Sequence, residues 1–192
     1  MQGRASNRKI LGQVRIIGMV AISMVFVVAC ALRGQGQDAE TLAVSASRTP
    51  IELSPTGSEV ELVAIDDGTT SKSSMSAQAR LKSLTRLGGQ AYLKLLDVRA
   101  QSDPGVTYNV YLNLPSKTPP SGVKSPYYVG TFSFFNAPPG RSTNLAFNIT
   151  PHVERLITRR ELETDVRLTI TPSGEPDPDA APQIGKVIVT VR

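Results

Sequence analysis

Few side chains in this chain are suited to chemistry, and the most reactive types occur singly. Cys30 is the sole cysteine and His152 the sole histidine among 192 residues. A lone thiol closes no disulfide within the chain. A zinc-hydrolase site, a thiolate metal site or a multi-histidine copper centre needs several His or Cys ligands. None of these sets can be assembled, so no metal and no cofactor are expected. Met75 is the only methionine past residue 30, and no Asp/Asn/Gly calcium-loop pattern occurs. A Ser-His-Asp triad would have to use His152, yet no Gly-x-Ser-x-Gly elbow appears. Gly88-Gly89 and Pro139-Gly140 lack the strand-loop-helix setting of a phosphate loop. The expectation is a protein that is not an enzyme.

Cys30 is informative through its surroundings. Arg4, Arg8, Lys9 and Arg15 form a basic lead, residues 16–27 an apolar core, and small residues flank the cysteine. This is the layout of an export signal. Val27-Val28-Ala29-Cys30 is also a permissive match to a lipobox, in which the cysteine is acylated and holds a soluble domain on a membrane. Two alternatives stay open. Residues 16–32 are apolar enough for one transmembrane helix with the basic lead in the cytoplasm. Ala29-Cys30-Ala31 also fits ordinary signal cleavage. Each places the rest of the chain on the extracytoplasmic side of the membrane. The formal charge of +5 is mostly this lead, because from Cys30 onward 17 Lys and Arg stand against 16 Asp and Glu. No basic stripe interleaved with aromatics follows, so nucleic acid is not an expected partner.

The remaining elements must position whatever surface does the work. Residues 1–32 read as signal or anchor, 33–57 as a turn-rich linker, and 58–192 as one domain. Val60, Leu62 and Ala64 alternate with polar neighbours, as in a half-buried strand. Residues 66–78 read as a loop, and Leu81, Leu84 and Leu87 as a short helical turn. From residue 91 strand patterns become dense. Tyr108, Val110 and Leu112 share a face opposite Asn109, Tyr111 and Asn113. Tyr128, Phe132 and Phe134 share a face with Gly130, where the missing side chain leaves room for a neighbour. Leu145, Phe147 and Ile149 form another stripe, as do Val166, Leu168 and Ile170, and Val187, Val189 and Val191. One helix is expected after Thr150, as N-cap, and Pro151, with Val153, Leu156 and Ile157 facing the sheet. His152 falls in its first turn, as a solvent-facing or capping residue. The fold class is all-β: an antiparallel β-sandwich or jelly-roll-like domain with one short helix, preceded by an N-terminal apolar helix.

Residues 91–192 resemble the C-terminal β-domain of the tyrosinase and polyphenol oxidase family. Plant members carry a Lys-Phe-Asp-Val motif in a strand, and Thr107, Tyr108, Asn109 and Val110 stand in its place here. The alternating face is kept while both charges are lost. Tyr128-Val129-Gly130-Thr131-Phe132 is similar to the family's aromatic-x-Gly-Ser/Thr-Phe strand. Phe147-Asn148-Ile149-Thr150 is similar to its entry into a short helix, and Leu168 to Pro172 with Ile184 to Val187 to its closing strands. In that family the β-domain covers the entrance to a copper site held by six histidines on another domain. The resemblance therefore implies the cover without the oxidase.

The expected function is that of a membrane-attached, exported binding or shielding module that docks onto a type-3 copper oxidase. Recognition is expected in loops 116–127 and 135–141. The alternative is a structural or adhesive envelope protein that binds a glycan or envelope component through exposed aromatics such as Tyr111 and Tyr127.

Overall fold

A computed structural model describes residues 40–45, 49–65, 75–135 and 140–192. Cys30, the export signal and most of the 66–78 loop lie outside these residues. Residues 38–192 form one compact unit. Its strands are β1 (Glu40–Ser45), β2 (Ile51–Glu52), β3 (Ser58–Ala64), β4 (Ala91–Arg99), β5 (Thr107–Leu112), β6 (Tyr128–Ser133), β7 (Thr143–Asn148), β8 (Val166–Pro172) and β9 (Gln183–Val191). Two ten-residue helices, α1 (Ala77–Arg86) and α2 (Thr150–Arg159), join them. Among the described residues no helix is long and apolar enough to cross a membrane.

All strands pair antiparallel in a single sheet, in the order β6-β5-β8-β3-β1-β9-β4-β7, with β2 also on β9. The expected two-sheet sandwich is thus replaced by one rolled, nearly closed sheet. Alternation tells which side chains of a strand face inward; it does not tell whether the inner faces meet across two sheets or around one. Closure is visible where the order ends. A Cβ built on Gly130 of β6 would lie 2.7 Å from the ring of Phe147 on β7. The two end strands meet through an aromatic ring laid on bare backbone, and Gly130 does leave room for a neighbour.

The predicted inward stripes of β3, β5, β8 and β9 are buried, Val110, Leu168 and Val187 completely. Phe147 and Leu145 are only half-buried, at the seam. Two strands, β1 and β2, fall inside the stretch that reads as a linker. Residues 39–44 are too short and mixed to declare a strand alone; β1 becomes one by lying between β3 and β9.

Besides the helix expected after Thr150, the short helical turn read at Leu81, Leu84 and Leu87 is a ten-residue helix that ends before Leu87. In α1 the Ser76 hydroxyl accepts from the Ala79 amide at 3.2 Å, and Ala77 and Leu81 are buried. The loop reading of residues 77 and 78 is therefore corrected: they form the first helical turn. Gly88, with φ of +77°, ends the helix as the Gly89 amide reaches the Leu84 carbonyl. In α2 the Thr150 cap is also corrected. Asn148 Oδ1 accepts from the Thr150 amide at 3.0 Å, while the Thr150 hydroxyl accepts from the Ala91 amide at 2.9 Å. Val153 and Leu156 are buried as expected.

The topology gives the barrel two unlike ends. One holds the start of β4, the ends of β1's partners β3 and β9, and both helices. The other gathers residues 53–57, 100–106, 134–135, 140–142 and 173–182.

Candidate functional site

The motif-like strand lies in β5, and its four residues play structural parts. Tyr108 is fully buried, stacked on Phe132 with centroids 5.5 Å apart and edge-on to Phe134 at 5.6 Å. Its hydroxyl has no hydrogen-bond partner, and burial pushes its pKa up to about 12. Val110 is wholly inside. Thr107 is exposed and bonds through its amide and hydroxyl to the Ser173 hydroxyl. Asn109 Oδ1 accepts from the Thr131 hydroxyl at 2.7 Å, and that hydroxyl meets the Tyr128 hydroxyl at 2.6 Å. Neutral residues at the motif's two charged positions are satisfied locally, across neighbouring strands.

Tyr128 is not on the face with Phe132. The register runs Val110↔Gly130 and then Tyr111↔Tyr128, so Val129 is an extra residue in β6. This bulge turns Tyr128 to the outer face, edge-on to Tyr111 at 5.9 Å. Tyr111 itself is only 1% exposed, because loop 113–127 folds over it and the Gly122 amide donates to its hydroxyl at 3.0 Å. Tyr127 is half-buried, and its pKa is raised by burial and then by Glu161. The exposed aromatic patch expected of Tyr111 and Tyr127 is therefore not formed by Tyr111.

The two recognition loops lie at opposite ends of β6. Loop 116–127 carries Val123, which is 76% exposed, on a short 3-10 turn. The other begins at Phe135, which is 71% exposed directly after the buried Phe134. Arg141 is exposed, and the Gly140 amide donates to the Ala100 carbonyl at 3.1 Å. The two loops cannot make one patch, since the strand separates them.

At the Phe135 end lies a groove of about 380 Å³, lined among others by Glu52, Pro55, Gln101, Pro176, Asp177 and Pro182. Its walls are pinned by backbone bonds: Leu53 amide to Pro182 carbonyl at 2.9 Å, Gln101 amide to Ala180 carbonyl at 2.8 Å, and Asp177 amide to Pro104 carbonyl at 3.0 Å. The prolines between Pro172 and Pro182 mark a turn in the sequence, and nothing in their spacing shows the groove. The density of Pro and Asp/Glu there marks a stiff, acidic loop, but not what it packs on.

His152 is half-buried rather than solvent-facing, and its Nδ1 has no partner. Burial, then the nearby Arg155 charge, lowers its pKa. Among the described residues no three His, Cys, Asp or Glu side chains are placed to hold a metal ion.

A family model described as "Domain of unknown function (DUF7868)" matches residues 38–192. No curated protein matches the chain. Among solved structures, a recombinantly expressed latent aurone synthase (polyphenol oxidase) is 16% identical, with a TM-score of 0.46. The match covers 76% of this chain and 26% of that one. A latent apple tyrosinase is 18% identical with a TM-score of 0.47, over 76% of this chain and 29% of its own. The chain thus spans about a quarter of the length of these structures. Nothing about activity or partner is carried over from overlaps of this size.

Proposed function

We propose, for a chain that belongs through residues 38–192 to the family described as "Domain of unknown function (DUF7868)", that it is a non-enzymatic docking module held at a membrane by its N-terminal segment. Its partner is a type-3 copper oxidase, whose concave entrance it covers. Its β-region is the counterpart of the C-terminal β-domain of tyrosinases, working apart from the catalytic domain.

The observation that carries this reading is Phe135. A phenylalanine exposed to 71% is costly to leave in water, and this one follows Phe134, which is locked against Tyr108 and Phe132. A rigid base under a single exposed aromatic is the arrangement of an interface anchor. The choice of partner comes from the sequence motifs in β5, β6 and α2.

The test is to titrate the chain into a six-histidine oxidase from the same organism and follow both complex formation and phenol oxidation. Binding should slow the oxidase in competition with substrate. Phe135→Ala should weaken binding by roughly tenfold or more, as expected for a buried aromatic anchor. No complex with the wild-type chain, or equal binding by the variant, would defeat the reading.

A further inference from the structure

The docking module has a second surface, at the barrel end opposite Phe135. There α1 and α2 lie antiparallel over the sheet. The Thr150 hydroxyl ties the start of α2 to Ala91. Gln78 of α1 bonds to the Leu162 carbonyl just past α2. The described chain enters at this same end: Glu40 pairs with Val191, and Arg192 and Gln90 exchange backbone hydrogen bonds of 2.9 and 3.0 Å directly after α1. The 39 residues that precede Glu40, with their apolar run, therefore join the domain beside the helices.

Charge is segregated along the barrel. Five of the 21 basic residues lie in 1–37, so residues 38–192 hold 16 Lys and Arg and 16 Asp and Glu, a net charge of zero. Yet Arg86, Arg159, Arg160 and Arg192 are all exposed at the helical end, with Lys82 beside them. None of the five is in an ion pair among the described residues. Of the carboxylates on this end, Glu154 is exposed on α2, Asp165 is exposed just before β8, Glu163 is engaged by Arg167, and Glu161 is half-buried near Tyr127. Leu87, which is 81% exposed, projects between Arg86 and the glycine pair that ends α1. The opposite end instead carries Glu52, Asp103, Glu175, Asp177 and Asp179.

We propose that the helical end is a contact surface for anionic lipid, formed by Lys82, Arg86 and Arg192 with Leu87 beside them at one end of the helix pair and by Arg159 and Arg160 at the other. This rests on the membrane-attached reading, since the chain's entry point selects a bilayer as the occupant. Basic side chains near an anionic surface are attracted within about a Debye length. A tether that enters at this end brings this end, rather than the opposite one, nearest to the membrane. The contact would set the barrel upright, with the groove and Phe135 turned away from the membrane toward a partner.

The experiment uses residues 38–192, which contain the whole core and both helices; a cooperative thermal melt first establishes that this fragment is folded. Its sedimentation with vesicles of phosphatidylcholine alone is compared with vesicles also containing phosphatidylglycerol. Binding should require phosphatidylglycerol and fade at high salt. The double variant Arg86→Gln/Arg159→Gln should bind roughly twenty-five-fold more weakly, at about fivefold per basic side chain. Arg141→Gln/Lys186→Gln makes the same change in net charge at other positions and should leave binding nearly unchanged. Absence of binding, equal binding to neutral vesicles, or equal losses from both double variants would overturn the proposal. So would duplex DNA binding as tightly as the anionic vesicles. The fragment lacks Cys30, so membrane release of the full chain by Cys30→Ser tests the tether separately, and either result can fail without the other.

Discussion

Tyr108 puts a phenol in a place where only its ring is needed. The ring stacks on Phe132, but the buried hydroxyl finds no partner. Leaving such a group unsatisfied costs about 1–3 kcal/mol, so Tyr108→Phe should raise the melting temperature by a few degrees. Alkaline pH gives an independent check. The folded pKa is raised to about 12 from 10, so the folded chain holds the proton after the unfolded chain has lost it. Stability must fall as pH rises through this window, by roughly 2–3 kcal/mol in total. Tyr108→Phe should remove that part of the alkaline loss; identical pH profiles for both proteins would refute it. His152 acts on the acid side. Its lowered pKa means that the unfolded chain takes up the proton first as pH falls through the ordinary histidine range, so stability declines there. His152→Gln should flatten that decline in a melt series. Alternation along the strand is enough to place Tyr108 and Val110 inside. It cannot place Tyr111, whose hydroxyl is satisfied by the Gly122 amide of a loop that folds back. Nor can it reveal the partnerless Nδ1 of His152, which depends on how α2 sits against β6.

Among the elements, the contact between β6 and β7 is the most exacting. No side chain fits at residue 130 while the Phe147 ring stays in place. Gly130→Ala should therefore cost about 1–3 kcal/mol through overpacking. Phe147→Ala should cost less than Phe132→Ala, because Phe147 is half-buried at the seam whereas Phe132 is only 6% exposed. The two seam changes should not add: with the ring gone, the alanine methyl has space, so the double variant should be more stable than the sum of the singles. Simple additivity in denaturant melts would mean that the ring and the glycine do not touch. The glycine's purpose was readable from its place among aromatic residues. The bulge at Val129 was not, since an extra residue is defined only against the partner strand that lacks it. The same holds for β1, whose identity as a strand comes from its neighbours.

Across the whole molecule, sequence order and sheet order diverge. β3 and β1 lie between β8 and β9, although they precede both by more than a hundred residues. A fragment of residues 91–192 contains every motif-like segment but lacks these strands, and so exposes two new edges in mid-sheet. It should aggregate or melt without cooperativity, whereas residues 38–192 should show one sharp transition. A cooperative melt of the shorter fragment would show that the strand order is wrong. Local patterns made the all-β class and most core residues legible. They read residues 33–57 as a linker before a domain of 58–192, because β1 and β2 are strands only through pairings remote in sequence. The order carries one more implication. The strands that close the ring, β6 and β7, are consecutive in the chain and joined through residues 134–142, so the final closure spans a short stretch and forfeits little chain entropy. Glu40 and Val191 are meanwhile neighbours at the other end. A chain trimmed to residues 38–192 can therefore be circularly permuted, with its old termini linked and new ones opened between β6 and β7. Such a permutant would keep every hydrogen-bonded strand pair while untying the seam, which would isolate what covalent connection contributes to holding a ring against a glycine.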